Sequence, residues 1–125
     1  MIAEPGRFIA APAGTAIAAV VGRAQREGRW WYYLDDGLYG SFSGQLYDHA
    51  LYPIEALGVR GPRHPSVLAG PTCDSADVLY EKEPYMLPVS LEIGDKVLIE
   101  GTGAYTATYS SVAFNGFSPL KTYHI

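Results

Sequence analysis

Cys73-Asp74 places the chain's only thiol beside a carboxylate, within the stretch Gly70-Pro71-Thr72-Cys73-Asp74-Ser75-Ala76-Asp77. A free thiol has a pKa of about 8.5, so it can hold or release a proton near neutral pH. The neighbouring carboxylate can grip a cationic small molecule. A polar loop with an incidental cysteine is the alternative, and this stretch alone leaves both readings open. Pro71 fixes its own φ and biases Gly70 toward extended backbone, so a strand is expected to run into a tight polar turn here. A second group, Glu4-Pro5-Gly6-Arg7, precedes a short helix expected to open at Arg7-Phe8-Ile9-Ala10-Ala11. An arginine at such a start suits an anion, with a solvated surface pair as the alternative.

The elements that must position these groups read mostly as strands. Thr15 to Gln25 is rich in Ala, Val and Ile, with Gly22 a candidate bulge; Arg29-Trp30-Trp31-Tyr32-Tyr33-Leu34 returns from the turn Arg26-Glu27-Gly28. Together they predict a β-hairpin, its aromatics serving as core and sheet surface. Leu38 to His49 is irregular, with one helical turn expected near its end. Leu51 to Leu57 is a possible strand restricted by Pro53. Ser66–Ala69 should feed the Cys73 turn, and Lys96–Glu100 is a clear short strand. Thr106 to Val112 is β-favouring, Phe114-Asn115-Gly116-Phe117 is a turn, and Leu120 to Ile125 is expected to close the chain as a strand. Short strands with turns between them and no long amphipathic helix predict a mainly β fold, a Greek-key barrel or sandwich.

Composition excludes several function classes. The chain has 125 residues, 48% of them hydrophobic and 18% charged, enough for one domain with its own core. A net charge of −4 argues against nucleic acid as a partner. There is no run of eighteen apolar residues to span a membrane and no visible secretory signal. One cysteine forms no internal disulfide and fits a reducing cytoplasm. His49, His64 and His124 show no metal-ligand spacing.

Six segments in order resemble the carboxy-terminal part of the pyridoxal-phosphate-dependent ornithine/lysine/diaminopimelate decarboxylases of fold type III. They are Glu4-Pro5-Gly6-Arg7, Tyr39-Gly40-Ser41-Phe42, Leu46-Tyr47-Asp48-His49, Gly70-Pro71-Thr72-Cys73-Asp74, Gly103-Ala104-Tyr105-Thr106 and Phe114-Asn115-Gly116-Phe117. In that family a (β/α)8 barrel precedes a β-barrel domain. The resemblance therefore implies that residues 1–14 are the remnant of the barrel's last strand and helix start. Residues 15–125 would be the C-terminal β-barrel domain, of the alanine racemase/ornithine decarboxylase type. The abrupt apolar opening Met1-Ile2-Ala3 is read in the same way.

The resemblance also implies roles. Glu4 would sit against the pyridine nitrogen of pyridoxal 5'-phosphate and keep it protonated, so the ring accepts the electrons left when CO2 departs. Arg7 and the Tyr105 hydroxyl would hold the cofactor phosphate. Cys73 would be the proton donor to the substrate α-carbon. Asp74 and Asp48 would bind the distal ammonium of a diamino acid, ornithine or lysine, giving putrescine or cadaverine for polyamine biosynthesis. Because the Cys-Asp pair serves the neighbouring subunit's site in this family, a homodimer is implied. Aspartate after the cysteine separates the pattern from diaminopimelate decarboxylases, which carry glutamate there; arginine decarboxylases share Cys-Asp-Ser but are much longer. Tyr39 and Tyr47 lie nearby without a definite role.

The family's Schiff-base lysine lies upstream of the Glu4 position, and Lys82, Lys96 and Lys121 match none of its cofactor positions. The chain alone is therefore expected to be inactive. A non-catalytic module that binds a decarboxylase subunit is the alternative function. An apolar face meant for the barrel would promote self-association.

Overall fold

The run Thr15–Arg26 forms β1 and the aromatic run Arg29–Leu34 forms β2 in the computed structural model, which describes residues 1–125. They pair antiparallel from Arg26↔Arg29 back to Val20↔Leu34. Glu27 and Gly28 make the turn with φ of 50° and 76°. Side chains alternate along a strand, so Tyr32 and Leu34 are fully buried while Trp31 and Tyr33 face the other way. Those two rings lie under the Arg26 guanidinium, at 5.4 and 5.7 Å from their centroids. The aromatic run is sheet and core.

Between Val20 and Gly22 the register slips, at the expected bulge. There β1 changes partner. Its first part, Thr15–Ala19, pairs antiparallel with β7 (Lys96–Glu100), and its second part pairs with β2. A bulge bends and twists the strand that carries it, and this bend lets one strand serve two walls. On its far side β7 pairs with β3 (Ile54–Ala56). Strand β2 runs parallel to β4 (Arg63–Ala69), which in turn carries β5 (Val78–Leu79) and β6 (Tyr85–Pro88). The order is β3-β7-β1-β2-β4-β5, with β6 also on β4.

The sheet nearly closes on itself, as a mainly β barrel should. Tyrosine hydroxyls complete the closure. The Tyr85 hydroxyl accepts the Ile54 N–H at 2.7 Å. The Tyr80 hydroxyl accepts the Tyr52 N–H at 3.1 Å and donates to the Tyr52 carbonyl at 3.2 Å. Burial pushes the Tyr80 phenol up to about 12. Inside lie Val20, Tyr32, Leu34, Phe42, Leu68, Leu79, Leu87, Leu91, Val97 and Ile99, all essentially inaccessible. Each such side chain contributes about 1.5–3 kcal/mol relative to exposure. No helix is long and apolar enough to cross a membrane.

Three expected strands differ. Leu51–Leu57 contracts to Ile54–Ala56, because Tyr52 hydrogen-bonds to Tyr80 instead of to a neighbouring strand. Thr106 to Val112 forms no strand: residues 106–109 are turns and 110–112 are irregular. Thr106 Oγ1 bonds the Thr102 carbonyl, Ser110 Oγ donates to the Ala107 carbonyl at 2.9 Å, and Tyr109 N–H donates to the Thr106 carbonyl at 2.8 Å. Local hydroxyl-to-backbone bonds compete with a ladder, and here they win. Leu120 to Ile125 has no partner strand and is almost wholly exposed. Its β-favouring residues express no strand without a sheet to join.

Candidate active site

The short helix α1 (Arg7–Ala10) and the 3-10 turn Ala11–Ala13 that follows are docked on the loop after β7. Gly103 N–H donates to the Ala11 carbonyl and Thr102 N–H to the Gly14 carbonyl, both at 3.0 Å. The approach requires glycine: a Cβ on Gly103 would lie 2.1 Å from the Ala10 carbonyl oxygen, and one on Gly14 would lie 2.3 Å from Gly103 N. This docking sets the Arg7 guanidinium over the Tyr105 ring, 5.1 Å from its centroid.

Helix α2 (Ser43–Asp48) closes the other side, and its last residue ion-pairs with Arg7 through Asp48 Oδ2. Ser43 Oγ donates to the Tyr105 carbonyl at 3.0 Å. Arg7, Ser43, Gly44, Tyr47, Asp48, Tyr105 and Tyr109 line a cleft of about 420 Å³, a size that suits a small ligand. Burial works against the Arg7 charge, but the nearby Tyr52 hydroxyl and the Asp48 carboxylate outweigh it, and the guanidinium pKa is raised. Arg7 Nη1 and the Tyr52 hydroxyl lie against each other without a well-formed hydrogen bond, and both are buried. A buried guanidinium nitrogen with spare donor capacity, beside a free Tyr105 hydroxyl, fits an anionic group such as the pyridoxal phosphate ester.

The loop that delivers α2 is folded on Asp36. Its Oδ1 accepts the N–H groups of Gly37 at 2.9 Å and Ser41 at 3.0 Å. Burial raises the Asp36 pKa, and the hydrogen bonds from Ser41 and Gly37 only partly offset it.

Cys73 sits on a separate turn after β4. The turn is closed by Gly70 N–H donating to the Asp77 carbonyl at 2.9 Å and Asp77 N–H donating to the Asp74 carbonyl at 3.0 Å. Cys73 is exposed with φ of 60°, a left-handed backbone costing about 1–3 kcal/mol in a non-glycine residue. Asp74 Oδ1 accepts the Ala76 N–H at 2.8 Å. Hydrogen bonding to Asp74 is the main cause that raises the Tyr39 phenol above its ordinary range, with burial second. Tyr39 stacks on Phe114, centroids 4.3 Å apart, and Asn115 Nδ2 donates to the Thr72 carbonyl at 2.8 Å. Beneath the turn, Asp77 is 2% exposed and accepts hydrogen bonds from Leu38 and Thr72.

Of the six residues singled out from the sequence, the structure brings Arg7, Asp48 and Tyr105 into one cleft. Cys73 and Asp74 stand together on the other turn, outside its lining, and Glu4 lies in the exposed segment before α1. Ser43, Tyr109, Asn115 and Asp77 carry no role assigned from the sequence. Asn115 was inside a quoted motif, and Asp77 ended the Cys73 stretch. Their partners lie far along the chain.

Residues 8–103 match the family described as pyridoxal-dependent decarboxylase, C-terminal sheet domain. The lysine/ornithine decarboxylase of Selenomonas ruminantium is 46% identical over 114 residues, 91% of this chain and 28% of that protein. Mus musculus ornithine decarboxylase is 35% identical over 144 aligned positions, covering 100% of this chain and 30% of that protein. Among solved structures, the lysine/ornithine decarboxylase of Vibrio vulnificus complexed with cadaverine superposes with a TM-score of 0.81 at 52% identity, over 93% of this chain and 31% of that one. The chain thus spans under a third of the length of the relatives it matches. Sequence and fold agree: the chain belongs to the pyridoxal-dependent decarboxylases, as their C-terminal sheet domain.

Proposed function

We propose that this chain supplies the C-terminal share of the active sites of a pyridoxal-phosphate-dependent decarboxylase acting on ornithine or lysine. The products are putrescine or cadaverine and CO2, the compartment is the cytoplasm, and the diamines feed polyamine synthesis. One observation carries the reading: Arg7, Asp48 and Tyr105 share a cleft while Cys73 and Asp74 occupy a different turn. Such a division suits a homodimer in which each subunit gives the first set to one site and the second set to the other. Residues 1–14 are the end of the barrel module and residues 15–125 the sheet domain.

The bound cofactor supplies an electron sink for decarboxylation. Arg7 and Tyr105 hold its phosphate by charge and hydroxyl, and Glu4 keeps its ring nitrogen protonated. Asp74 and Asp48 bind the distal ammonium; Asp48, already paired with Arg7, keeps its second oxygen for that contact. Cys73, held exposed at the tip of its turn, delivers a proton to the substrate α-carbon.

Alone the chain is inactive. Mixing it with the barrel half of a lysine/ornithine decarboxylase and pyridoxal phosphate should give a complex that releases CO2 from ornithine or lysine. A mixture with no complex and no CO2 would overturn the proposal.

A further inference from the structure

Asp77 takes no part in the chemistry above, yet its two oxygens face two different stretches of chain. Oδ1 accepts the Leu38 N–H at 2.7 Å. Oδ2 accepts the Thr72 N–H at 3.2 Å and the Thr72 hydroxyl at 2.6 Å. Within the chain no cation pairs with it, and only neutral donors meet its oxygens. Glycines press on it from both sides: a Cβ on either Gly37 or Gly70 would lie 2.2 Å from its oxygens. Packing and hydrogen bonds therefore fix the carboxylate in one place.

What it joins gives it meaning. Leu38 belongs to the tight turn in which Gly40 and Phe42 N–H groups both donate to the Gly37 carbonyl, and that turn leads directly into α2 and Asp48. Thr72 immediately precedes Cys73. One carboxylate thus spans the loop that carries the cleft acid and the turn that carries the thiol. We infer that Asp77 is a positioning residue that couples the Asp48 loop to the Cys73 turn, so that displacing either displaces the other. Resting on the dimer reading above, in which those two elements serve different sites, the coupling links the two active sites through a single subunit. Such coupling is reciprocal.

The test needs neither cofactor nor turnover, so it can fail while the decarboxylase reading stands, and the reverse. In this chain, Thr72→Val removes the hydroxyl donor with little change of shape. Amide exchange at Leu38, on the other loop, should then speed up about tenfold or more, while Val97 and Ile99 amides in β7 exchange as before. In the opposite direction, Gly37→Ala drives a methyl into Asp77, and Cys73 should react several-fold faster with iodoacetamide. An unchanged Leu38 amide, an unchanged Cys73 rate, or acceleration of Leu38 and β7 together would each overturn the coupling.

Discussion

Arg7 and Asp48 were expected to serve different ligands, a phosphate and an ammonium, and in the structure they hold each other. The pair keeps both side chains aimed at one cleft before anything binds, which lowers the ordering cost of binding. Under the proposed roles, the two residues of the Cys73 turn separate kinetically in an assembled decarboxylase. If Cys73 is the proton donor proposed above, Cys73→Ala should lower kcat by about 10²–10⁴ with little change in KM. Asp74→Asn should raise KM for the diamino acid about tenfold or more, read from steady-state CO2 release. The left-handed backbone at Cys73 adds a test of its own. Cys73→Gly should melt no lower than the parent chain, and even somewhat higher, although it deletes the thiol. Cys73 and Asp74 draw notice in the sequence because a lone thiol stands beside a carboxylate, and the structure sets them together on one exposed turn. Asp77 could not, because its role depends on Gly37 and Leu38, which only the fold brings to it.

Among the elements, the β1–β2 hairpin was legible because β-branched and aromatic runs flank a glycine turn, and Gly22 marked the bulge. The turns at Thr106–Tyr109 were not, since threonine and tyrosine favour strands while the Thr106 and Ser110 hydroxyls here bond local carbonyls. The docking of α1 on the Gly103 loop depends on contact too close for any side chain. Gly103→Ala should cost about 1–3 kcal/mol in a thermal or urea melt and spoil the alignment of Arg7 with Tyr105. Tyr80 gives the barrel a pH dependence. Its folded pKa of about 12 exceeds the ordinary 10.0, so the folded state holds that proton more tightly. The stabilisation is complete below pH 10 and falls as pH rises from 10 to about 12. Urea melts across that window should show the decline, and Tyr80→Phe should flatten it while lowering stability at neutral pH.

At the scale of the whole molecule, large apolar side chains stay exposed around the cleft and its neighbours: Phe8 at 94%, Ile9, Leu46, Tyr47, Leu51 and Tyr109. A surface of this kind seeks cover. The isolated chain should self-associate, with light-scattering mass rising with concentration, and addition of a barrel half should suppress this. A clean monomer at high concentration would contradict it. The barrel wall carries a subtler hazard. Most strand pairing here rests on backbone groups, but this part of the wall is joined through phenol oxygens: Tyr85 of β6 reaches Ile54 of β3, and Tyr80, just after β5, reaches Tyr52, just before β3. Two atoms, the hydroxyls of Tyr80 and Tyr85, separate a closed wall from an open sheet with bare rims. Deleting both should turn a self-contained domain into a template for its own copies, stacking edge to edge into ordered polymers.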